Sequence, residues 1–410
     1  MSADDVVVTG VGIVSPVGGD APSTMKALLG GESGVTLLPE DQRERTPVHL
    51  YAPVGDDALS RVSRREKLRH DRSVHLALAA GREAWQDAGA PAADPARVAS
   101  VVATGMGGLT TLLELHERYL VKGPVGLPAH TITGIMANAS SALLASEIGA
   151  RAAAVSLASA CASGSDAIAH ALRLFRDDEI DLAVAGGTEA IAHPVTLAAF
   201  GALRALSKRH DDPAHASRPF DRDRDGFVLG EGAAIMVLER RRHAAGRGAR
   251  ILARIAGAGS TCDGSHLVAP DPTGRWNAAA IGKALRAAGM GPPDISCVSA
   301  HATATVQGDL AENEALKQAF GGALADICVT ALKSSFGHTI GASGAVAAAV
   351  AALSVRDRAV PPTRNLDNLD PAIDLDVVRE TPRPLPPGAA VLVNAAGFGG
   401  HNTALVIAGE

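Results

Sequence analysis

Four loops in this 410-residue chain set reactive side chains directly after apolar, β-branched runs. Cys161 sits in "SACASG", His301 in "AHATAT", Lys333 and His338 in "LKSSFGHTIG", and Phe398 in "GFGGHN". In open α/β sheets chemistry collects where strands end and loops begin, so the four loops are candidates for one site. Around Cys161 the run "AVSLASA" reads as a buried strand, and Ser163, Gly164 and Ser165 give a tight start to a helix carrying Asp166 to Leu172. A thiol there lies near unpaired helix N–H groups and the positive end of the helix dipole, both of which favour a nucleophilic thiolate of low pKa. Cys262, Cys297 and Cys328 have no such setting and read as structural.

The histidines number 14, and position singles out two. His301 follows the strand "CVSA", and His338 lies in a glycine turn before the helix "GASGAVAAA". No H-x-x-x-H or carboxylate spacing supports a metal at either. "GMGG" and "GFGG" lack the G-x-G-x-x-G spacing of a dinucleotide loop, and their glycines suit a backbone that approaches a ligand or swings as a gate.

The elements that must position these groups alternate strand and helix, which predicts an α/β fold. Their order occurs twice. Residues 6–16 pair with 251–260, 98–108 with 295–305, 153–172 with 327–353, 181–190 with 390–400, and 233–240 with 402–409. Two similar α/β units are expected, 1–250 carrying the cysteine and 251–410 carrying the histidines and the glycine-rich loop, joined near "RRRHAAGRGAR". Facing each other about a pseudo-twofold, they would bring a thiol, two imidazoles and an ammonium together. Hydrophobic residues make up 47% and aromatics only 3%, so the core must rest on aliphatic side chains and close backbone contacts, which suits the 44 glycines.

A formal charge of -6 gives no reason to expect nucleic acid or an anionic membrane as partner. The apolar tract "GASGAVAAAVAALSV" reads as a buried helix too short to span a bilayer. Scattered cysteines and an acidic start "MSADD" with no signal-peptide pattern point to a reducing, cytoplasmic setting.

Taken in order, "SACASG", "RPFDRDRDGFVLGEGAAIMVLE", "AHATATVQGDLAE", "LKSSFGHTIGASGA" and "GFGGHN" resemble the β-ketoacyl-acyl carrier protein synthases from Val6 to Ile407, and most closely their elongating branch with its Cys-His-His set and lysine. The resemblance implies a thiolase-like fold of two pseudo-symmetric α/β halves in a five-layered αβαβα arrangement, usually a homodimer. It implies decarboxylative Claisen condensation of an acyl group on Cys161 with a malonyl group on acyl carrier protein. No metal or nicotinamide cofactor is implied, the substrates riding on a phosphopantetheine arm. The backbone N–H groups of Cys161 and Phe398 would form an oxyanion hole, and neutral His301 and His338, oriented by backbone bonds, would each donate an N–H to the malonyl thioester oxygen.

By the same resemblance, Lys333 would pair with Glu312, and Thr303 and Thr305 would hold the pantetheine arm. Phe398 would gate the acyl site on the hinges Gly397, Gly399 and Gly400, and Met106 would line the acyl pocket. Arg64, Arg65, Lys67, Arg69, Arg72 and Arg204 would dock the acidic carrier. Three departures stand out. Ala302 replaces the family's usual glycine, Val268 replaces a threonine near the arm, and Ala395 and Ala396 remove a hydroxyl and a phenyl ring beside the gate, which predicts a roomier or differently timed gate for a polyketide- or polyene-like chain. The rival readings are a noncatalytic chain-length-factor-like subunit of a ketosynthase heterodimer, which characteristically lacks the cysteine, and a cysteine hydrolase or acyltransferase that never condenses.

Overall fold

The computed structural model describes residues 2–410. In chain order its principal strands are β1 (Val6–Val14), β2 (Val98–Ala103), β3 (Ala153–Val155), β4 (Leu182–Glu189), β5 (Gly232–Arg240) and β6 (Ala253–Cys262), then β7 (Ile295–Ser299), β8 (Cys328–Thr330), β9 (Asp376–Val377), β10 (Ala390–Gly397) and β11 (His401–Ala408). The helices that matter for the site are α1 (Arg72–Asp87), α2 (Leu109–Lys122), α3 (Ser163–Arg176), α4 (Arg275–Ala288), α5 (Val306–Phe320) and α6 (Ser343–Asp357).

All eleven strands join in one sheet, ordered β9-β8-β7-β10-β11-β6-β1-β5-β4-β2-β3. Reading outward from the centre, β1-β5-β4-β2-β3 and β6-β11-β10-β7-β8 repeat the same connectivity, and the five sequence pairs fall on equivalent strands. The two series meet where β1 pairs antiparallel with β6, Val7 opposite Arg254 and Val8 opposite Ala253.

Strand residues alternate between two buried faces, as period-two side chains must when both faces are covered. On β5, Ala234, Met236 and Leu238 join the central core, and Ala233, Ile235 and Val237 face the outer one. On β10 the same split sends Val391 and Val393 inward and Leu392 outward. Helices α3 and α6 fill the central layer, α1 covers one outer face, and α4 with α5 covers the other. The result is the five-layered αβαβα arrangement.

Close backbone approach replaces aromatic bulk, as the composition predicts. A Cβ at Gly10 or Gly12 would lie 2.2 or 1.9 Å from a carbonyl oxygen of α1, and one at Gly257 or Gly259 would lie 2.4 or 2.3 Å from one of α4. The apolar stretch Ile340–Asp357 is, at 18 residues, long enough to cross a bilayer by length and composition, contrary to the sequence reading; 83% of it is buried inside the fold.

Candidate active site

Helices α3 and α6 both start from a tight 3₁₀ turn, Ala160–Ala162 and Ile340–Ala342, and each turn opens on a residue with positive φ, Ala160 at 50° and Ile340 at 43°. Left-handed backbone at a non-glycine residue is strained and must be held by its surroundings. The matched sequences "CASG" and "GASG" thus form two equivalent elbows, with Cys161 on one and Gly341 on the other. They pack against each other: a Cβ on Gly164 would lie 2.7 Å from the Ala345 nitrogen, and one on Gly344 would lie 2.3 Å from Ser165 Oγ. The strand before Cys161 ends at Val155, earlier than expected, because residues 156–159 turn toward the elbow. There the Ser159 N–H donates to Ser163 Oγ at 2.9 Å.

A cavity of about 470 Å³ opens over Cys161 and is shared by both halves. Cys161, His301, His338, Glu312, Phe398 and Gly397 all line it. Thr303, Thr305, Gly400 and Arg204 line it as well. The imidazoles of His301 and His338 stand edge to face, with centroids 5.5 Å apart, and Phe227 packs edge-on to His338 at 5.3 Å. Burial, the Lys333 ammonium and the neighbouring ring hold His301 well below the ordinary histidine range; burial and Lys333 do the same to His338. Both rings are therefore neutral at neutral pH. His338 Nδ1 lies 2.8 Å from Ser343 Oγ, so a side chain at the start of α6 orients this ring, and not the backbone alone.

The thiol does not have the low pKa that its place before a helix suggests. Burial pushes Cys161 up to about 12, outweighing the opposing pull of Lys333. The backbone N–H groups of Phe398 and of Cys161 itself also oppose the rise. Burial thus holds the sulfur as a thiol.

Lys333 and Glu312 do not form the expected ion pair. Lys333 Nζ donates to the His301 carbonyl oxygen, while Glu312 accepts the N–H groups of His301 and Ala302, each at 2.7 Å, and Asn394 Nδ2 at 2.7 Å. Both groups bind the His301 loop from opposite sides instead of binding each other. Lys333 is buried, which brings it down to about 8. The loop itself carries two alanines with positive φ, Ala302 at 27° and Ala304 at 66°. Asp309 accepts the Ala304 N–H at 3.1 Å and helps to hold that geometry.

Thr303 and Thr305 face each other, with oxygens 3.0 Å apart, and Thr305 also caps α5. Gly399 is set back from the cavity, its N–H donating to the Leu267 oxygen at 2.7 Å; Gly399 and Gly400 have φ of 88° and 78°, a left-handed backbone that favours glycine. Met106 lies outside the cavity wall and is 44% exposed. Its N–H instead contacts the buried Glu189, which also accepts from Thr104, Gly105 and Gly341 and so ties the two halves together. Of the two gate alanines, Ala396 lines the cavity and Ala395 is buried behind it; Val268 lies on the wall.

Arg64, Arg65 and Lys67 are exposed on a short helix, Arg64–Lys67, and Arg69 is exposed just after it, ahead of α1, while Arg204 is exposed at the cavity. No carboxylate lies within 4 Å of any of them among the described residues. Arg72 differs: it binds Glu231, Asp56 and the Val54 carbonyl and acts as a structural tie. Sequence reasoning also missed Ser343, Glu189, Asn394 and Asp166, the last accepting the hydroxyls of Ser159, Ser260 and Thr403 beneath the nucleophile elbow. The repeated "ASG" was the one available signal, for Ser343.

Residues 3–244 match the beta-ketoacyl synthase N-terminal domain and residues 252–367 match the corresponding C-terminal domain. The chain belongs to the β-ketoacyl synthase family. It is 41% identical over 403 residues to the 3-oxoacyl-[acyl-carrier-protein] synthase 2 of Mycobacterium tuberculosis, covering 98% of this chain and 96% of that protein, and 41% identical to the Mycobacterium leprae protein of the same name with the same coverage. A beta-ketoacyl synthase from Burkholderia phymatum superposes with a TM-score of 0.89 at 33% identity, covering 99% of both chains. A type II polyketide synthase acyl-carrier protein complex with its ketosynthase, bound to a hexaketide, gives 0.92 at 29% identity, also covering 99% of both chains.

Proposed function

We propose that this β-ketoacyl synthase condenses an acyl group held on Cys161 with malonyl-acyl carrier protein. The observation that supports it best is the convergence, in one cavity, of the buried thiol with two neutral imidazoles from the opposite half. Cys161 attacks the acyl thioester, and the tetrahedral oxyanion meets the N–H groups of Cys161 and Phe398. Removing one such donor typically costs about 3 kcal/mol of barrier. Collapse forms the acyl-Cys161 thioester, and the thiol proton leaves on the departing pantetheine sulfur.

Malonyl-carrier then binds along Thr303 and Thr305. Its C–C bond breaks to release carbon dioxide, and the electron pair moves into an enolate whose oxygen accepts N–H bonds from His301 and His338. In this scheme His338 is the tautomer whose Nδ1 accepts from the Ser343 hydroxyl, 2.8 Å away, and whose Nε2 carries the proton for that oxygen. The enolate carbon attacks acyl-Cys161, the thiolate leaves and takes up a proton, and 3-ketoacyl-carrier protein results. Every electron pair is moved by side chains and substrates, so the scheme calls for no metal or redox cofactor.

Removing either imidazole tests this scheme. In His301→Ala and His338→Ala, carbon dioxide release from labelled malonyl-carrier should fall by at least 100-fold while acylation of Cys161 continues. Undiminished release would overturn the assignment.

Three finer readings belong to the proposal. The exposed Arg64, Arg65, Lys67, Arg69 and Arg204 suit an acidic carrier protein. A second copy of this chain covers α2, none of whose residues is buried, together with the apolar Leu120 (70% exposed), Val125 (92%) and Ile132 (66%) and the open edge of β3. One solved relative is a ketosynthase/chain length factor, with a TM-score of 0.90 at 30% identity, so a heterodimer is the alternative outcome. The small Ala396 at the wall suits a functionalised acyl chain, and the free thiols suit a cytoplasmic setting.

A further inference from the structure

The two elbows differ in what stands against their backbone N–H groups. Strands β4 and β10 are equivalent, each of 8 residues, and they end on Glu189 and Gly397, opposite the first residue of the next strand, Gly232 or His401. Glycine at 397 keeps side-chain atoms off the Cys161 elbow, where a Cβ would lie 2.7 Å from the Ser159 oxygen and 3.1 Å from the Cys161 nitrogen. At the second elbow the Glu189 carboxylate takes that place. Its Oε2 accepts the N–H of Gly341, the residue equivalent to Cys161, at 3.1 Å and that of Gly105 at 2.7 Å. Its Oε1 accepts the Thr104 hydroxyl at 2.8 Å and the Met106 N–H at 3.3 Å. The second elbow is thus a copy of the first whose anion is supplied by the protein itself.

That anion holds part of the cavity wall. Ile340, next to Gly341, lines the cavity and shares an apolar cluster with Cys161 and Phe200, against which Phe398 packs. It is a β-branched residue at a φ of 43°, a conformation that persists only where the surroundings impose it. Glu189 binds the next N–H along the chain, and Gly105, bound to the same oxygen, lies so close that a Cβ on it would be 3.2 Å from Ile340 Cγ2. We propose that Glu189 is a positioning residue for acylation, clamping the Ile340 wall against which the acyl chain on Cys161 packs. This rests on the acyl transfer to Cys161 proposed above and adds what sets chain preference there. Two donors meet each carboxylate oxygen, so a carboxamide, which would turn its own N–H groups on one pair, reproduces only part of the clamp.

The test measures kcat/KM for acylation of Cys161 by an octanoyl and an acetyl thioester in wild type, Glu189→Ala, Glu189→Gln, Ile340→Ala and Thr104→Val, each below its melting temperature. Burial pushes Glu189 up to about 7, so assays at pH 8 keep the wild-type carboxylate ionised. Glu189→Ala and Ile340→Ala should each lower the ratio of octanoyl to acetyl rates about 10-fold, whereas a loss of folded enzyme would scale both rates alike. Millimolar formate should restore most of the ratio in Glu189→Ala, because the emptied elbow still presents its donors to an anion, and neutral formamide should not. Formate should leave Ile340→Ala unchanged, and Glu189→Gln should show a smaller loss that formate does not repair. Should Glu189→Ala fail to fold, Thr104→Val decides: it removes one donor, keeps the carboxylate and should lower the ratio several-fold. An unchanged ratio in the folded Glu189 variants and in Thr104→Val, or a loss that formate does not restore, overturns the proposal. Intact mass separates this from failure of the underlying reaction, in which neither thioester would acylate Cys161 in wild type.

Discussion

At rest the thiol of Cys161 is protonated, because desolvation outweighs every group that would stabilise the thiolate. Iodoacetamide should therefore alkylate it at a rate that keeps rising with pH from 7 to 10; a plateau below pH 8 would show a thiolate that the structure does not support. The histidines carry the opposite sign. Their folded pKa values lie well below 6.5, so the neutral, donating form persists as pH falls through the range where an ordinary imidazole protonates. The pH profile of malonyl decarboxylation should accordingly have no acid limb near 6.5, and a limb there would mean that one ring titrates normally. Strain in the His301 loop is also testable. Left-handed backbone costs a non-glycine residue about 1–2 kcal/mol, against about 0.4–1 kcal/mol of unfolded-chain entropy that a glycine adds. Ala304→Gly should thus raise stability in urea by about 0.5 kcal/mol, and a clear loss would mean that Ala304 is not strained.

At the scale of elements, the two elbows work as one unit. Gly164 and Gly344 let α3 and α6 approach until backbone touches backbone, which fixes Cys161 against the half that supplies the imidazoles. Gly164→Ala should cost about 1–3 kcal/mol by overpacking and lower the melting temperature; a variant as stable as wild type would show that the helices can part freely. Much of this was legible in the sequence, since the paired order of strands and the residues Cys161, His301, His338 and Phe398 lay in distinctive segments. What was not legible depends on desolvation and on contacts made across the chain. Whether Cys161 is raised or lowered, whether Lys333 meets Glu312 or the His301 carbonyl, and whether Arg72 faces solvent or Glu231 are decided by burial, which spacing does not encode. The 156–159 segment misled for a local reason, as its apolar residues turn to reach the elbow instead of extending β3.

Across the whole molecule, the short cationic helix before α1 and the apolar region around α2 are surfaces whose roles separate by experiment. Reversing Arg64, Arg65 and Lys67 to glutamate should raise KM for acyl-carrier protein several-fold and leave acylation by a small thioester nearly unchanged; equal loss with both substrates would point to a folding defect. Leu120→Glu with Val125→Glu should shift the particle mass toward that of one chain in light scattering if a second copy covers this face. The central claim is that the two halves divide the labour, one carrying the acyl group and the other generating the carbon nucleophile. Its most direct test is intact mass and peptide mapping of His301→Ala after incubation with acyl-carrier and malonyl-carrier protein. The account predicts a stable acyl group on Cys161 with neither free acid nor 3-ketoacyl product. Finding Cys161 unmodified, or finding free acid released without malonyl-carrier, would contradict it.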